Sequence, residues 1–115
     1  ILTHEYGHVL AEESIWPNVE KELGIDKYDI SPDTPLFLDE GFAYWFGNFF
    51  SDYKQKITTS TFDYYAPTLN QENAMKAYSK FKSNFGISYK KPRESPTLEN
   101  LKITFKDFIP QGPKK

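Results

Sequence analysis

Cysteine is absent from this chain, and methionine occurs once. Without thiols there are no disulfides and no thiolate metal sites, so His, Asp and Glu are the only strong metal ligands it can offer. Charge of one sign is not in excess either. Fourteen basic residues against 16 acidic ones give a net charge of −2, which argues against the single-sign field that nucleic acid or an anionic membrane surface requires. Long apolar runs are also missing, and no stretch approaches the roughly 18 residues that span a bilayer. No signal peptide is visible, but the first residue is Ile1 rather than methionine. The sequence therefore reads as a piece of something longer, or a processed form, and leaves the compartment open with a lean toward an extracytoplasmic or secreted one. What the chain does have is rings. Aromatics make up 17% of its 115 residues and all apolar residues together 38%, so the expected single domain, residues 1–115, builds one modest core around Phe, Tyr and Trp.

The pattern is mainly α. Leu2, Tyr6, Val9, Leu10 and Ile15 recur near helical spacing over 1–16, and Pro17 is expected to disturb that helix. A short helical stretch over Asn18–Leu23 follows, with Gly24 as a left-handed terminator. The run DKYDISPDTP is turn chemistry, and Asp33 or Thr34 can cap the next helix with Pro35 at its first position. From Leu36 to about Tyr53 apolar groups lie on nearly every side, the mark of a central buried helix. Phe42, Trp45, Phe46 and Phe49 are expected in its core. Residues 54–69 read as a loop holding one short strand at most. A third helix runs from a cap at Asn70 to Phe85, with Ala74, Tyr78, Phe81 and Phe85 on one stripe and Gly86 closing it. A last helix starts near Ser95 or Thr97 and carries Leu98, Leu101, Phe105 and Phe108, though its β-branched LKITF segment also suits a strand. The tail PQGPKK is expected to fray.

The chemistry concentrates in HEYGH, residues 4–8. On a helix, residues four apart stand on one face, so His4 and His8 can grip one ion, zinc being the usual choice. Glu5 projects beside that ion, where it can act as general base toward an activated water. These are the only two histidines in the chain. A catalytic zinc takes a third protein ligand, which here must be a carboxylate. Glu40 is the best candidate, because it is an acid embedded in the most apolar stretch, where an unpaired charge is costly. Asp39 is the alternative, but neighbours on a helix point about 100° apart, so only one of them faces the metal. Gly7 lets another segment approach the motif turn closely. Glu12, one turn after His8, is placed to bond a ligand's far nitrogen. Tyr44, one turn after Glu40, can orient a ligand or donate to a developing oxyanion; Tyr64, Tyr65 and Tyr78 compete for that role.

HEYGH followed by DEGFA resembles the gluzincin clan of zinc metallopeptidases. These share HExxH on one helix and a glutamate ligand on a later one. The EGFA segment is similar to the corresponding segment of aminopeptidase N-type enzymes, with Asp39 where Asn is usual. The 31 residues from position 9 to 39 lie closer to the spacing in clostridial collagenases. The resemblance covers residues 1–50, and NAMKAYSKFKSNFG only loosely resembles the helix that follows in such families. It implies His4, His8 and Glu40 as ligands of one zinc ion, Glu5 as the base, and a peptide or protein substrate. It also implies a sheet ahead of the motif helix. The expected fold is therefore mainly α, the C-terminal helical part of a zincin-like catalytic domain without its N-terminal sheet subdomain. Two further readings stand beside it: a non-catalytic, zinc-stabilised binding module derived from a peptidase fold, and a helical interaction domain without metal. Oligomeric state and cleavage specificity cannot be read from the chain.

Overall fold

A long broken helix, a central helix and two further helices make up the chain in the computed structural model, which describes residues 2–65 and 67–110. Helix α1 spans Leu2–Leu10, a π turn spans Ala11–Ile15, and α2 continues over Trp16–Leu23. Helix α3 is Thr34–Phe49, α4 is Thr68–Phe85 and α5 is Leu98–Asp107. Short 3-10 turns at Lys27–Asp29 and Thr59–Phe62 sit in the connections. The architecture is mainly α, and there is no strand among the described residues. The strand considered within 54–69 is replaced by the second 3-10 turn, and LKITF is helical.

Pro17 does not end the first helix. Its missing N–H and its ring would both conflict with a regular turn at the carbonyl four residues back. The chain widens one turn instead: the Trp16 amide reaches five residues back to the Ala11 oxygen, and the helix resumes with Pro17 in its first turn. Such single π turns inside α-helices absorb this kind of conflict. The helix then stops at Gly24, whose φ of 66° is the left-handed conformation expected there.

Helix α3 lies between α1 and α4 and buries residues around most of its circumference, including Leu38, Phe42, Ala43, Trp45, Phe46 and Phe49. It ends at Phe49 rather than near Tyr53. Lys54 Nζ donates to the Asn48 and Ser51 carbonyls, each at 2.5 Å, satisfying oxygens that a longer helix would have used. Two glycines set how closely the layers approach. A Cβ on Gly7 would stand 3.1 Å from Phe46 Cβ and 3.2 Å from Ala43 Cα, where α1 crosses α3. On Gly41 it would stand 2.6 Å from the Ala74 oxygen, where α3 crosses α4.

The core is a continuous set of rings. Phe42 meets Phe81 at 5.1 Å and Phe105 at 5.3 Å between centroids, and Trp45 stacks on Phe81 at 5.7 Å. Trp45 Nε1 donates to the Gly86 oxygen at 2.9 Å, which ties the end of α4 to the core. The stripe Ala74, Tyr78, Phe81 and Phe85 is buried, and α4 begins at Thr68, two residues ahead of Asn70. Thr97 caps α5 by accepting the Asn100 amide. That helix turns Leu101, Lys102, Thr104 and Phe105 inward, whereas Leu98 is exposed. On α1, Tyr6 and Val9 face solvent, against the expectation from spacing. The inner face of that helix is carried by Gly7 and continued by Ala11. None of the described helices is long and apolar enough to cross a membrane. The tail expected to fray lies, beyond Pro110, outside the described residues.

Candidate metal centre

The two histidines and Glu40 meet at one edge of the α1–α3 contact. His4 and His8 stand one turn apart on α1, and Gly7 between them lets α3 come close enough to place Glu40 opposite both. His8 Nε2 lies 2.7 Å from Glu40 Oε1 and 3.2 Å from His4 Nε2, and His4 Nε2 lies 3.3 Å from the same Glu40 oxygen. Three donor atoms thus form a small triangle, each side chain only partly exposed.

Hydrogen bonding alone accounts poorly for this triangle. Two imidazole nitrogens point at each other and at one oxygen, and a neutral ring brings only one N–H. The same three donors could hold a cation. Donors bound tetrahedrally to zinc at roughly 2.0–2.1 Å stand about 3.3 Å apart. Two sides of the triangle match that spacing, and the His8–Glu40 side is shorter, as a direct hydrogen bond makes it. Both histidines present Nε2, so the proton of a metal-bound ring belongs on Nδ1. His4 Nδ1 is buried and has no hydrogen-bond partner among the described residues.

The electrostatics tie the three groups together. Burial pushes the Glu40 carboxyl up, but hydrogen bonds with His4, His8 and Tyr64 outweigh it and hold the group well below the usual carboxylate range. His8 is raised, first by its hydrogen bond to Glu40, against the opposing effect of burial. The Tyr64 hydroxyl donates to Glu40 Oε2, the oxygen turned away from the histidines. Burial and that bond raise its pKa far above that of a free phenol. Tyr44 instead lays its ring against His4, with centroids 4.3 Å apart, and its back against Phe62 at 5.3 Å. Tyr44 and Tyr64 thus touch different members of the triangle, His4 and Glu40, and a 3-10 turn brings Tyr64 back over α3. Tyr65 donates to the Leu36 oxygen at 3.2 Å, and Tyr78 is buried on α4. Glu5 is exposed and lines the cleft that opens beside His4 and Glu40.

Asp39 faces the other way. Its Oδ1 accepts the Trp16 indole N–H at 2.6 Å, and burial together with the Glu12 carboxyl beside it pushes its pKa up to about 8. Glu12 also pairs with Lys27. It therefore reaches Asp39 and Lys27, not a histidine's far nitrogen as its spacing had suggested. A proton-holding acid pair closed by a lysine and an indole thus lies behind Glu40. Lys27 and Trp16 gave no sign of it in the sequence, because four positions between 12 and 39 meet only through the fold.

No family model, no curated protein and no solved structure matches this chain.

Proposed function

We propose that the chain is a zinc-dependent peptidase of gluzincin type, with His4, His8 and Glu40 holding the ion. The convergence of those three side chains from two helices carries the reading, because these are the residues that the motif resemblance would assign. A bound zinc supplies Lewis acidity, making water a stronger acid and polarising a carbonyl. Glu5 follows the first ligand on the same turn, and its free carboxylate reaches into the cleft. It accepts the proton of the attacking water and returns it to the leaving amine. Tyr64 spends its single O–H on Glu40 and so orients that ligand. Tyr44, its ring against His4, is the tyrosine left to donate a hydrogen bond beside the reacting carbonyl. Asp39, one position before Glu40, is held by the Trp16 indole of α2, which fixes the rotation of α3 so that Glu40 keeps its direction.

The decisive experiment separates metal from chemistry. The wild-type chain is expected to take up one equivalent of zinc and to cut members of a peptide library. Glu5→Gln is expected to keep the metal and lose the cutting. Equal cleavage by the variant would overturn the role given to Glu5.

A second reading has its own support. Because the ligands come from α1 and α3, any ion held there staples the two helices, with or without catalysis. A zinc-stabilised binding module would show a zinc-dependent rise in melting temperature with no peptide cut.

A further inference from the structure

The cleft beside the metal edge has a volume of about 770 Å³ and runs along α3 from His4, Glu5 and Glu40 to the loop after the helix. Its walls carry acids at one end and a cation at the other. Lys54 is the single cation among the described residues that line it. The loop bearing it is fastened to the end of α3. The Asn48 amide donates to the Gln55 oxygen at 2.7 Å, and Asn48 Oδ1 accepts the Gln55 amide at 2.8 Å. The Lys54 ammonium is itself seated on the Asn48 and Ser51 carbonyls. An ammonium has three protons, so one is left for a ligand. The position of the charge is set by these contacts, not by a freely swinging stem.

We propose that Lys54 is an anion subsite, and that the cleft selects peptides with a carboxylate three or four residues from the bond at the metal end. The inference rests on the peptidase reading above. Its spacing comes from the helix. Glu40 to Asn48 is eight residues, about 12 Å of rise at roughly 1.5 Å each. An extended peptide covers about 3.3–3.6 Å per residue, so three to four residues bridge that span. Lys54 at the far end also orients such a peptide, because its carboxylate is attracted beyond the bond that is cut.

The test uses C-terminally amidated peptides in which one Asp is walked along an otherwise neutral chain. Each is incubated with the zinc-loaded protein, and product masses locate the cut. The cut bond is expected to move with the Asp at a constant offset of three or four residues. Lys54→Glu is expected to lose that tracking and to follow a walked Lys instead. Lys54→Gln keeps donors for the two carbonyls and deletes the charge, so loss of tracking there cannot be laid to a collapsed loop. A neutral peptide with a free C-terminus distinguishes the source of the anion, since a cut three or four residues from that end identifies the terminal carboxylate as ligand. Cutting that ignores the Asp, or that tracks it equally well in Lys54→Glu, overturns the subsite and leaves the peptidase reading intact. A binding arm covers the converse. By fluorescence anisotropy, a labelled Asp peptide is expected to bind roughly tenfold tighter than its Asn counterpart, through a charge-assisted hydrogen bond that Lys54→Glu cannot make. That difference without any cleavage upholds the subsite and removes the peptidase reading. Its absence together with absent cleavage overturns both.

Discussion

Helix α3 has two unlike faces. On one, Phe42 and Trp45 touch several rings each, and the contacts are non-directional. On the other, Glu40 stands against three particular side chains, His4, His8 and Tyr64, each through one directed contact. The ring face works by area and shape, so many apolar sequences of similar volume would fill it. The polar edge works by position, and a shift of an ångström in one helix would undo it. The two meet in the same 16 residues, which makes the edge dependent on the ring face but not the reverse.

That asymmetry can be broken from either side. Phe42→Ala should have the largest effect, a loss of about 3–5 kcal/mol in urea unfolding, and zinc binding should go with it because α3 carries Glu40. Intact zinc affinity in that variant would show the edge to be independent. His8→Ala works in the opposite direction. The zinc-free variant should be only modestly less stable at neutral pH, because Glu40 loses its 2.7 Å partner but keeps His4 and Tyr64, while the zinc-induced gain disappears. In a zinc-binding wild type that gain would be about 2.7 kcal/mol at a hundredfold excess over Kd, read as a thermal shift.

Asp39→Asn probes the boundary between the faces. The Asp39 carboxyl is buried and pushed up to about 8, so the folded chain holds a proton that the unfolded chain releases near 3.8. For a raised folded value, the contribution is full below the unfolded one and is lost as pH rises through the folded one. Zinc-free wild type should therefore lose stability as pH climbs from about 4 to about 8. Asn still accepts the Trp16 N–H but does not titrate, so its profile should be flatter in equilibrium unfolding at pH 5 and pH 8. An unchanged slope would mean that Asp39 is not the proton holder.

The smallest effect belongs to a contact far from both faces, made by the exposed Glu22 with two lysines of α5. Glu22 accepts hydrogen bonds from Lys102 and Lys106, which lower its carboxyl to about 2. A lowered folded value contributes above the unfolded 4.5 and is lost as pH falls toward about 2. Glu22→Gln should flatten the acid limb of a denaturation curve. It should lower stability slightly at neutral pH, where the carboxylate is charged, and leave it unchanged at pH 2, with the loss kept small by solvent screening.

Helical periodicity was enough to find all five α-helical stretches, because apolar spacing and proline or glycine punctuation act locally. The pairing of His4 with His8 is likewise local, fixed by one turn. Glu40 was the expected ligand and Asp39 the alternative, but spacing says only that they diverge, not which way α3 is rotated. The outward turn of Tyr6 and Val9 escaped for a related reason: their spacing suits burial, but α3 approaches on the Gly7 side. Tyr64 and Lys54 sit on irregular chain, where no period reports direction. Their positions depend on contacts with α3 that have no counterpart in neighbouring sequence.

The π turn at Ala11–Ile15 has a consequence for how this chain tolerates insertions and deletions. One surplus residue in that turn offsets the angular phase of everything after it by about 100°, a full helical step. His4 and His8 are aimed at Glu40 with one phase, and Trp16 and Val19 at the ring core with the other. Excising a single residue between Glu12 and Ser14 would leave every chemically important group in the chain and yet rotate one half out of alignment. The motif would read the same to a pattern search and point at nothing.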